Sequence, residues 1–427
     1  MHYKIRPSLL QGSITIPPSK SHTLRAILFA SLAHGKSIIY HYLPSPDTRA
    51  MIQACELLGA KITVNEQSIT IIGTHGKPKT PNNIIDAGNS GQVLRFVAAV
   101  AALTSGYTVI TGDHSVRTHR PIQPLLEGLT HLNVLAVSTQ GDGSAPIIIQ
   151  GPLDGGITTL NGEDSQPVSG LLIASAFAEK PTIIHVKNPG ETPWIDLTLD
   201  WFKRLGISYQ QQGYTHYRIS GNAVYSGFEY TVPGDFSSCA FPLVAALITQ
   251  SEIILHNLDM NDPQGDKALI FALETMGATI EIDHDKKTLH VKPSNGFVGQ
   301  HIHVNQYIDA VPILAVMGCF AQGETVLTGA SIARKKESDR LSVITLELQK
   351  MGAQITELED GLVIKPAPLI GAKVASFNDH RIAMSLAVAG LAAQGQTIIE
   401  NTACVDKSYP NFPQALQTLG AFIEAHP

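Results

Sequence analysis

The chain repeats itself six times, and that repetition restricts the folds open to it more than any local motif does. A small-residue helix rich in Ala and Leu is predicted to begin near Ser19, Asn89, Ser165, Ser237, Asp309 and Asn378, at intervals of 70, 76, 72, 72 and 69 residues. Each helix runs into a short β-branched segment such as Ser37-Ile-Ile-Tyr40, Thr182-Ile-Ile-His185 or Glu324-Thr-Val-Leu327. A second, amphipathic helix follows. It usually ends in Gly before an alternating strand, as in Leu58-Gly-Ala-Lys-Ile62, Leu205-Gly-Ile-Ser208, Met276-Gly-Ala-Thr-Ile280, Met351-Gly-Ala-Gln-Ile355 and Leu419-Gly-Ala-Phe-Ile423. Gly there suits a left-handed helix cap, and in the second copy Asn133 stands in for it. Five copies add another strand, whereas the sixth stops at Pro427 without one. The first eighteen residues hold a strand-like surplus, Tyr3–Arg6 and Ser13–Ile16, so the N-terminus is expected to complete the sixth copy.

The fold class is therefore α/β (α+β), built from six β-α-β-α-β-β repeats. One such unit cannot bury its own faces, but three together make a core. Two domains of three repeats are expected, which also suits a length of 427 residues. Residues 1–18 plus 235–427 would form one, holding repeats four to six, and residues 19–234 the other. A solenoid is the alternative, but its usual periods are shorter. Net charge is −6, with no basic run or acidic tail, which gives no reason to expect nucleic acid or an anionic membrane as partner. Met1–Leu10 lacks the apolar stretch of a signal peptide. Cys55, Cys239, Cys319 and Cys404 stand far apart among apolar neighbours and read as buried free thiols; a cytoplasmic protein is expected.

The helix starts carry the chemistry: Ser19-Lys-Ser-His22, Asn89-Ser-Gly91, Asp164-Ser-Gln166, Asp235-Phe-Ser-Ser238, Asp309, and Asn378-Asp-His-Arg381. Ser, Asn and Asp there are ordinary N-caps worth about 1 kcal/mol each. Caps do not explain Lys20, Arg25, Arg95 and Arg381, because cations near a helix N-terminus oppose its dipole. An anion held between amides and cations would reconcile them. Copy four offers only Asp235, Ser237 and Ser238 and is expected to be mainly structural.

Together these residues resemble the 5-enolpyruvylshikimate-3-phosphate synthase family over the full chain. The resemblance rests on Pro18-Ser-Lys-Ser-His-Thr-Leu-Arg25, Gly88-Asn-Ser-Gly91 with Arg95, Arg120-Pro121, Lys336-Glu-Ser-Asp-Arg340 and Asn378-Asp-His-Arg381. It implies a two-domain, inside-out α/β barrel with its active site in the cleft between the domains. It implies transfer of the enolpyruvyl group of phosphoenolpyruvate to the 5-hydroxyl of shikimate 3-phosphate, without metal or organic cofactor, by a glyphosate-sensitive monomer. By matching position, Lys20, Gly91, Arg120, Gln166, Arg340, Arg381 and Lys407 would bind phosphoenolpyruvate. Lys20, Ser21, Arg25, Ser165, Gln166, Asp309 and Lys336 would meet shikimate 3-phosphate. Asp309, Glu337 and Lys20 would be catalytic: Asp309 as base toward the acceptor hydroxyl, Glu337 and Lys20 exchanging protons on the enolpyruvyl side. Two carboxylates can divide such transfers if their surroundings separate their pKa values.

The seven cations Lys20, Arg25, Arg120, Lys336, Arg340, Arg381 and Lys407, less Asp309 and Glu337, leave +5. Two phosphorylated carboxylic acids carry roughly −5 to −6 at about −1.5 to −2 per phosphate. Without them, such a cluster should repel itself, and domain closure on binding is expected. Departures from the family pattern lie mostly on the acceptor side, at Asp164, Glu191-Thr-Pro-Trp194 and Ile332, with Gln92 in place of the usual Thr. The sister enzyme acting on a UDP-linked amino sugar uses a loop Cys that Gly112–Arg120 lacks. A non-enzymatic anion-binding repeat protein would leave Asp309 and Glu337 unexplained.

Overall fold

The computed structural model describes all residues, Met1–Pro427. The chain divides into two compact units, Met1–Ser19 with Pro233–Pro427 (unit 1) and Lys20–Val232 (unit 2). Each has its own hydrophobic core. The helices that open the six copies are α1 (Lys20–Leu32), α2 (Gly91–Ala101), α3 (Ser165–Ser175), α4 (Phe236–Ile248), α5 (Val311–Gly318) and α6 (His380–Ala392). Apolar residues lie all round them, so no face is fit for water and each must be central. Every residue of α2, α4 and α5 is buried. In unit 1, α4, α5 and α6 pack on one another. In unit 2, α2 and α3 come close enough that a Cβ on Gly170 would lie 2.9 Å from the Arg95 carbonyl oxygen.

Six four-stranded sheets surround these helices, each with one parallel and two antiparallel pairings. The glycines that close the second helices do so in the left-handed region: Gly59, Gly206, Gly277, Gly352 and Gly420 have φ of +104°, +68°, +104°, +89° and +93°. Asn133 takes the same place at +61°. There is no closed barrel of strands. No helix is long and apolar enough to cross a membrane. All four cysteines are free, but Cys404 is only half-buried, unlike the other three.

The N-terminal surplus divides between two sheets. His2–Arg6 is an inner strand of the sixth sheet, between Thr397–Glu400 and Phe422–His426. Gln11–Thr15, which leads into α1, pairs instead with Glu252–His256 of copy four. Glu229–Thr231, which leads toward α4, pairs with Lys36–Tyr40 of copy one. The lead strands of copies one and four are thus exchanged. The two chain crossings are clasped together: Ser19 N donates to Pro233 O at 2.8 Å and Asp235 N to Pro17 O at 2.9 Å.

Ile5 is fully buried in unit 1 and lies under Gly390 of α6. Ile5→Ala, five residues into the chain, is therefore expected to cost as much as a central core truncation, about 2–5 kcal/mol, measured by urea unfolding followed by circular dichroism.

Candidate active site

In unit 1 the starts of all three central helices converge on two arginines. Arg340 is buried on the helix Arg340–Lys350 and reaches three carboxylates. Its Nε donates to Asp379 Oδ2 at 2.8 Å, its Nη1 to Asp309 Oδ1 at 2.6 Å and its Nη2 to Glu337 Oε2 at 2.8 Å. Asp379 caps α6 through Arg381 N at 2.9 Å and accepts from Ser338 Oγ at 3.1 Å. Arg381 spans from Asp309 Oδ2 (2.8 Å) to Ser237 Oγ (2.7 Å) at the start of α4. Lys407 ends a short 3-10 turn, Thr402–Lys407, and donates to Glu337 Oε1 at 2.6 Å. His380 Nδ1 stands 4.0 Å from that oxygen.

The charges act on one another strongly. Burial alone raises the pKa of Asp309, but Arg381, Arg340 and Lys336 outweigh it and hold the carboxyl well below the usual range. Burial lowers that of Arg340, yet Asp379, Glu337 and Asp309 more than restore it, so the guanidinium is firmly charged.

In unit 2 the same convergence uses other partners. Lys20, at the first turn of α1, lies 3.5 Å from Asp47, which also accepts from Ser90 Oγ, the cap of α2, at 3.0 Å. Gly91 follows that cap. A Cβ there would fall 2.6 Å from Arg95 Nη1 and 2.8 Å from Arg120 Nη1, so the two guanidiniums lie against bare backbone. Arg95 pairs with Asp164 at 3.0 Å and donates to Gln166 Oε1 at 3.1 Å and to Pro121 O at 2.9 Å. Ser165 N and Oγ both point to Glu191 Oε2, at 3.2 and 3.5 Å.

Arg25 has no carboxylate partner. It is 2% exposed, and its hydrogen bonds go only to neutral oxygens: Thr198 Oγ1 at 3.0 Å, Trp194 O at 3.1 Å and Ser21 O at 3.4 Å. Its guanidinium also sits over the Phe96 ring, 5.0 Å from the centroid. Burial brings its pKa down to about 9, so it remains charged at pH 7. A buried charge with no counter-ion is costly, and it is the feature most in want of an anion. Nowhere do three His, Cys, Asp or Glu side chains group closely enough to hold a metal ion.

The profile of the family "EPSP synthase (3-phosphoshikimate 1-carboxyvinyltransferase)" matches residues 5–416. The 3-phosphoshikimate 1-carboxyvinyltransferase of Chlamydia felis is 46% identical over 426 residues, covering 99% of this chain and 95% of its own. That of Ruminiclostridium cellulolyticum is 43% identical over 424 residues, covering 99% and 100%. A solved EPSP synthase from Acinetobacter baumannii superposes with a TM-score of 0.84 at 30% identity over the whole of both chains. The chain belongs to the EPSP synthase family.

Several departures from the EPSP synthase pattern now have structural accounts. Asp164 caps α3, taking Gln166 N at 2.9 Å, and is neutralised by Arg95 rather than aimed at a phosphate. Arg95 thereby ties α2 to α3. Glu191 holds the start of α3 from a left-handed turn at φ +47°. Trp194 reaches Arg25 through its carbonyl, which any residue could offer. Ile332 is core, and the buried Gln92 Nε2 has no hydrogen-bond partner.

Two expectations need revision. Asp309 does not cap a helix: it sits in the 3-10 turn Asn305–Ala310 before α5, whose start has no side-chain cap. Copy four joins the cluster through Ser237, which accepts from Arg381. The surplus of +5 overcounts: the sum left out Asp47, Asp164, Glu191 and Asp379, and among the cations Arg95. Lys336, Arg340, Arg381 and Lys407 stand with Asp309, Glu337 and Asp379 in unit 1, and Lys20, Arg25, Arg95 and Arg120 with Asp47, Asp164 and Glu191 in unit 2. Four cations against three carboxylates leaves each group at a net +1, which weakens the self-repulsion argued from sequence.

Asp379→Ala should cost about 3–5 kcal/mol, because it strips a buried partner from Arg340. Asp379→Asn, which keeps an acceptor for the cap, should cost less; urea unfolding checks both. Asp309, held below its ordinary pKa, contributes stability above about pH 4 that is lost as pH falls further. Asp309→Asn should therefore flatten the acid limb of a stability-against-pH curve.

Proposed function

We infer that this protein is a 3-phosphoshikimate 1-carboxyvinyltransferase, moving the enolpyruvyl group of phosphoenolpyruvate to the 5-hydroxyl of shikimate 3-phosphate with release of phosphate. Family membership across the chain supports the reaction, and the buried, uncompensated Arg25 is the observation that supports an anionic acceptor. Arg25, Ser21, Ser165, Gln166, Lys20, Lys336 and Asp309 are proposed to meet shikimate 3-phosphate. Lys20, Gly91, Arg120, Gln166, Arg340, Arg381 and Lys407 are proposed to meet phosphoenolpyruvate. We propose further that the enzyme acts as a cytoplasmic monomer.

The chemistry follows from what holds Asp309. The acceptor hydroxyl must lose a proton as its oxygen bonds to C2 of phosphoenolpyruvate, while C3 gains one. The tetrahedral adduct then gives up that gain at the methyl carbon as the phosphate leaves. Asp309 is a weak base while Arg340 and Arg381 neutralise it. Donor oxygens that engage those arginines would loosen both pairs and raise the basicity of Asp309, so the base strengthens when the donor is in place. On the other side, Glu337 already shares a 2.6 Å hydrogen bond with Lys407. We propose that pair, with Lys20, as the route for the proton to and from C3.

Purified protein given both substrates should release phosphate. Absence of release from the wild type would refute the function. Asp309→Ala is expected to lower kcat by about 10²–10⁴. Arg25→Ala should raise the KM for shikimate 3-phosphate roughly ten- to a hundred-fold, the loss of one charged hydrogen-bonding group. Gly91→Ala, which must displace Arg95 and Arg120, should raise the KM for phosphoenolpyruvate more than that for shikimate 3-phosphate.

A further inference from the structure

One acid beside the unit 1 cluster is accounted for neither by the proposed chemistry nor by any ion pair. Asp266 lies in the 3-10 turn Gly265–Lys267 of copy four and is 2% exposed. Its neighbours fix it in place. Gln264 clamps the turn to the start of α4, accepting from Phe236 N at 3.1 Å and donating to Gly234 O at 2.8 Å. Gln264 N is held in turn by Asp262 Oδ1 at 3.1 Å. Lys267, the only cation on the turn, is drawn back to Met260 O and Asp262 O at 2.9 and 2.6 Å. The carboxyl is thus delivered to the group around Ser237 without a cation of its own.

Both Asp266 oxygens are buried without a full hydrogen bond. So is Nε of Arg381, the guanidinium whose Nη2 serves Asp309 and Ser237. The charged or polar groups acting on Asp266 are Asp309 before α5, Arg381 on α6, and Asp235 and Ser237 at the start of α4. Arg381 is the cation that acts on Asp266, and an ionised Asp266 would share it with Asp309 while standing beside a further carboxylate, Asp235. Burial, with Asp309 and Asp235 pushing the same way, raises the Asp266 pKa to about 7 despite Arg381 and Ser237.

We propose that Asp266 is a positioning residue for the donor site: its neutral acid supports Arg381 while leaving the guanidinium available to an anion, and its carboxylate claims that guanidinium as a competing ion pair. The proposal rests on the reading that Arg381 binds phosphoenolpyruvate. It gives copy four a part in the reaction through a residue that need not touch substrate.

The test compares wild type with Asp266→Asn from pH 5.5 to 8.5. For the wild type, the KM for phosphoenolpyruvate should climb relative to the variant by about five-fold or more across this range. The ratio of the two KM values for shikimate 3-phosphate should stay flat. Titration of the substrate phosphates affects both proteins alike and cancels in the ratio. A second readout needs no substrate. An acid whose folded pKa is raised stabilises below its unfolded value and loses that contribution as pH rises through the folded one. The melting temperature of the wild type should therefore fall relative to Asp266→Asn between pH 5 and 8. A flat melting difference overturns the proposal, because Asp266 then does not titrate. A melting difference that opens while the phosphoenolpyruvate ratio stays flat also overturns it, because Arg381 is then untouched. Lack of turnover by the wild type would instead refute the proposed function. Calorimetric affinity for phosphoenolpyruvate would then replace KM, and a pH-independent ratio would overturn this inference too.

Discussion

A helix that is apolar on every side can be polar only at its ends, and this organises both units. Packing three such helices together gathers their unsatisfied N-terminal amides in one place. Partial positive charge collects there, and oxygen must be supplied to meet it. Asp235 and Asp379 do so in unit 1, Ser90 and Asp164 in unit 2. The remaining charges are arranged around those caps. Arg340 is held by the cap of α6, Arg95 by that of α3, and Lys20 shares Asp47 with that of α2.

Chemically identical residues consequently acquire different tasks. Asp379 has a fully buried side chain and spends its oxygens on a cap and a guanidinium, which suits permanent structure. The Asp309 side chain is 22% exposed and is held by arginines that an incoming anion could draw away, which suits a group that must change state. The difference comes from position: Asp379 is the last residue before a regular helix, while Asp309 sits in an irregular turn with no cap to make. Arg25 and Arg95 divide in the same way. One has only neutral partners, and the other has a carboxylate supplied by the next helix.

Much of this was legible from sequence because repetition amplifies weak signals. No single Gly after a helix would establish a left-handed cap, but five at matching positions with Asn133 at the sixth do. The central helices were visible from their lack of a polar face. What escaped notice were the counter-charges. Asp47 lies at the start of the second helix of copy one, and only tertiary packing brings it to Lys20 of the same copy and to Ser90 of copy two. Glu191 and Asp266 stand at the starts of the second helices of copies three and four, away from the first-helix starts on which the cations gather. A count of charges along the chain finds cations clustered in motifs and misses acids that arrive singly from elsewhere, so it overstates the surplus. The exchange of lead strands escaped for a related reason: Gln11–Thr15 and Glu229–Thr231 occupy equivalent places in the repeat, and either could have served either sheet.

That exchange has a consequence for the order in which the protein can be made. Unit 2 is one continuous stretch inserted between Ser19 and Pro233, so all its strands, including the borrowed Glu229–Thr231, have emerged once residue 232 is synthesised. The strands His2–Arg6 and Gln11–Thr15 precede unit 2 in the chain but can pair only after it is made, since the partner of the second lies at 252–256 and those of the first at 397–400 and 422–426. Contacts so distant in sequence make folding slow. The segment before unit 2 must remain uncommitted while an entire domain forms behind it, and unit 1 can close its last sheet only once residues 422–426 have been made.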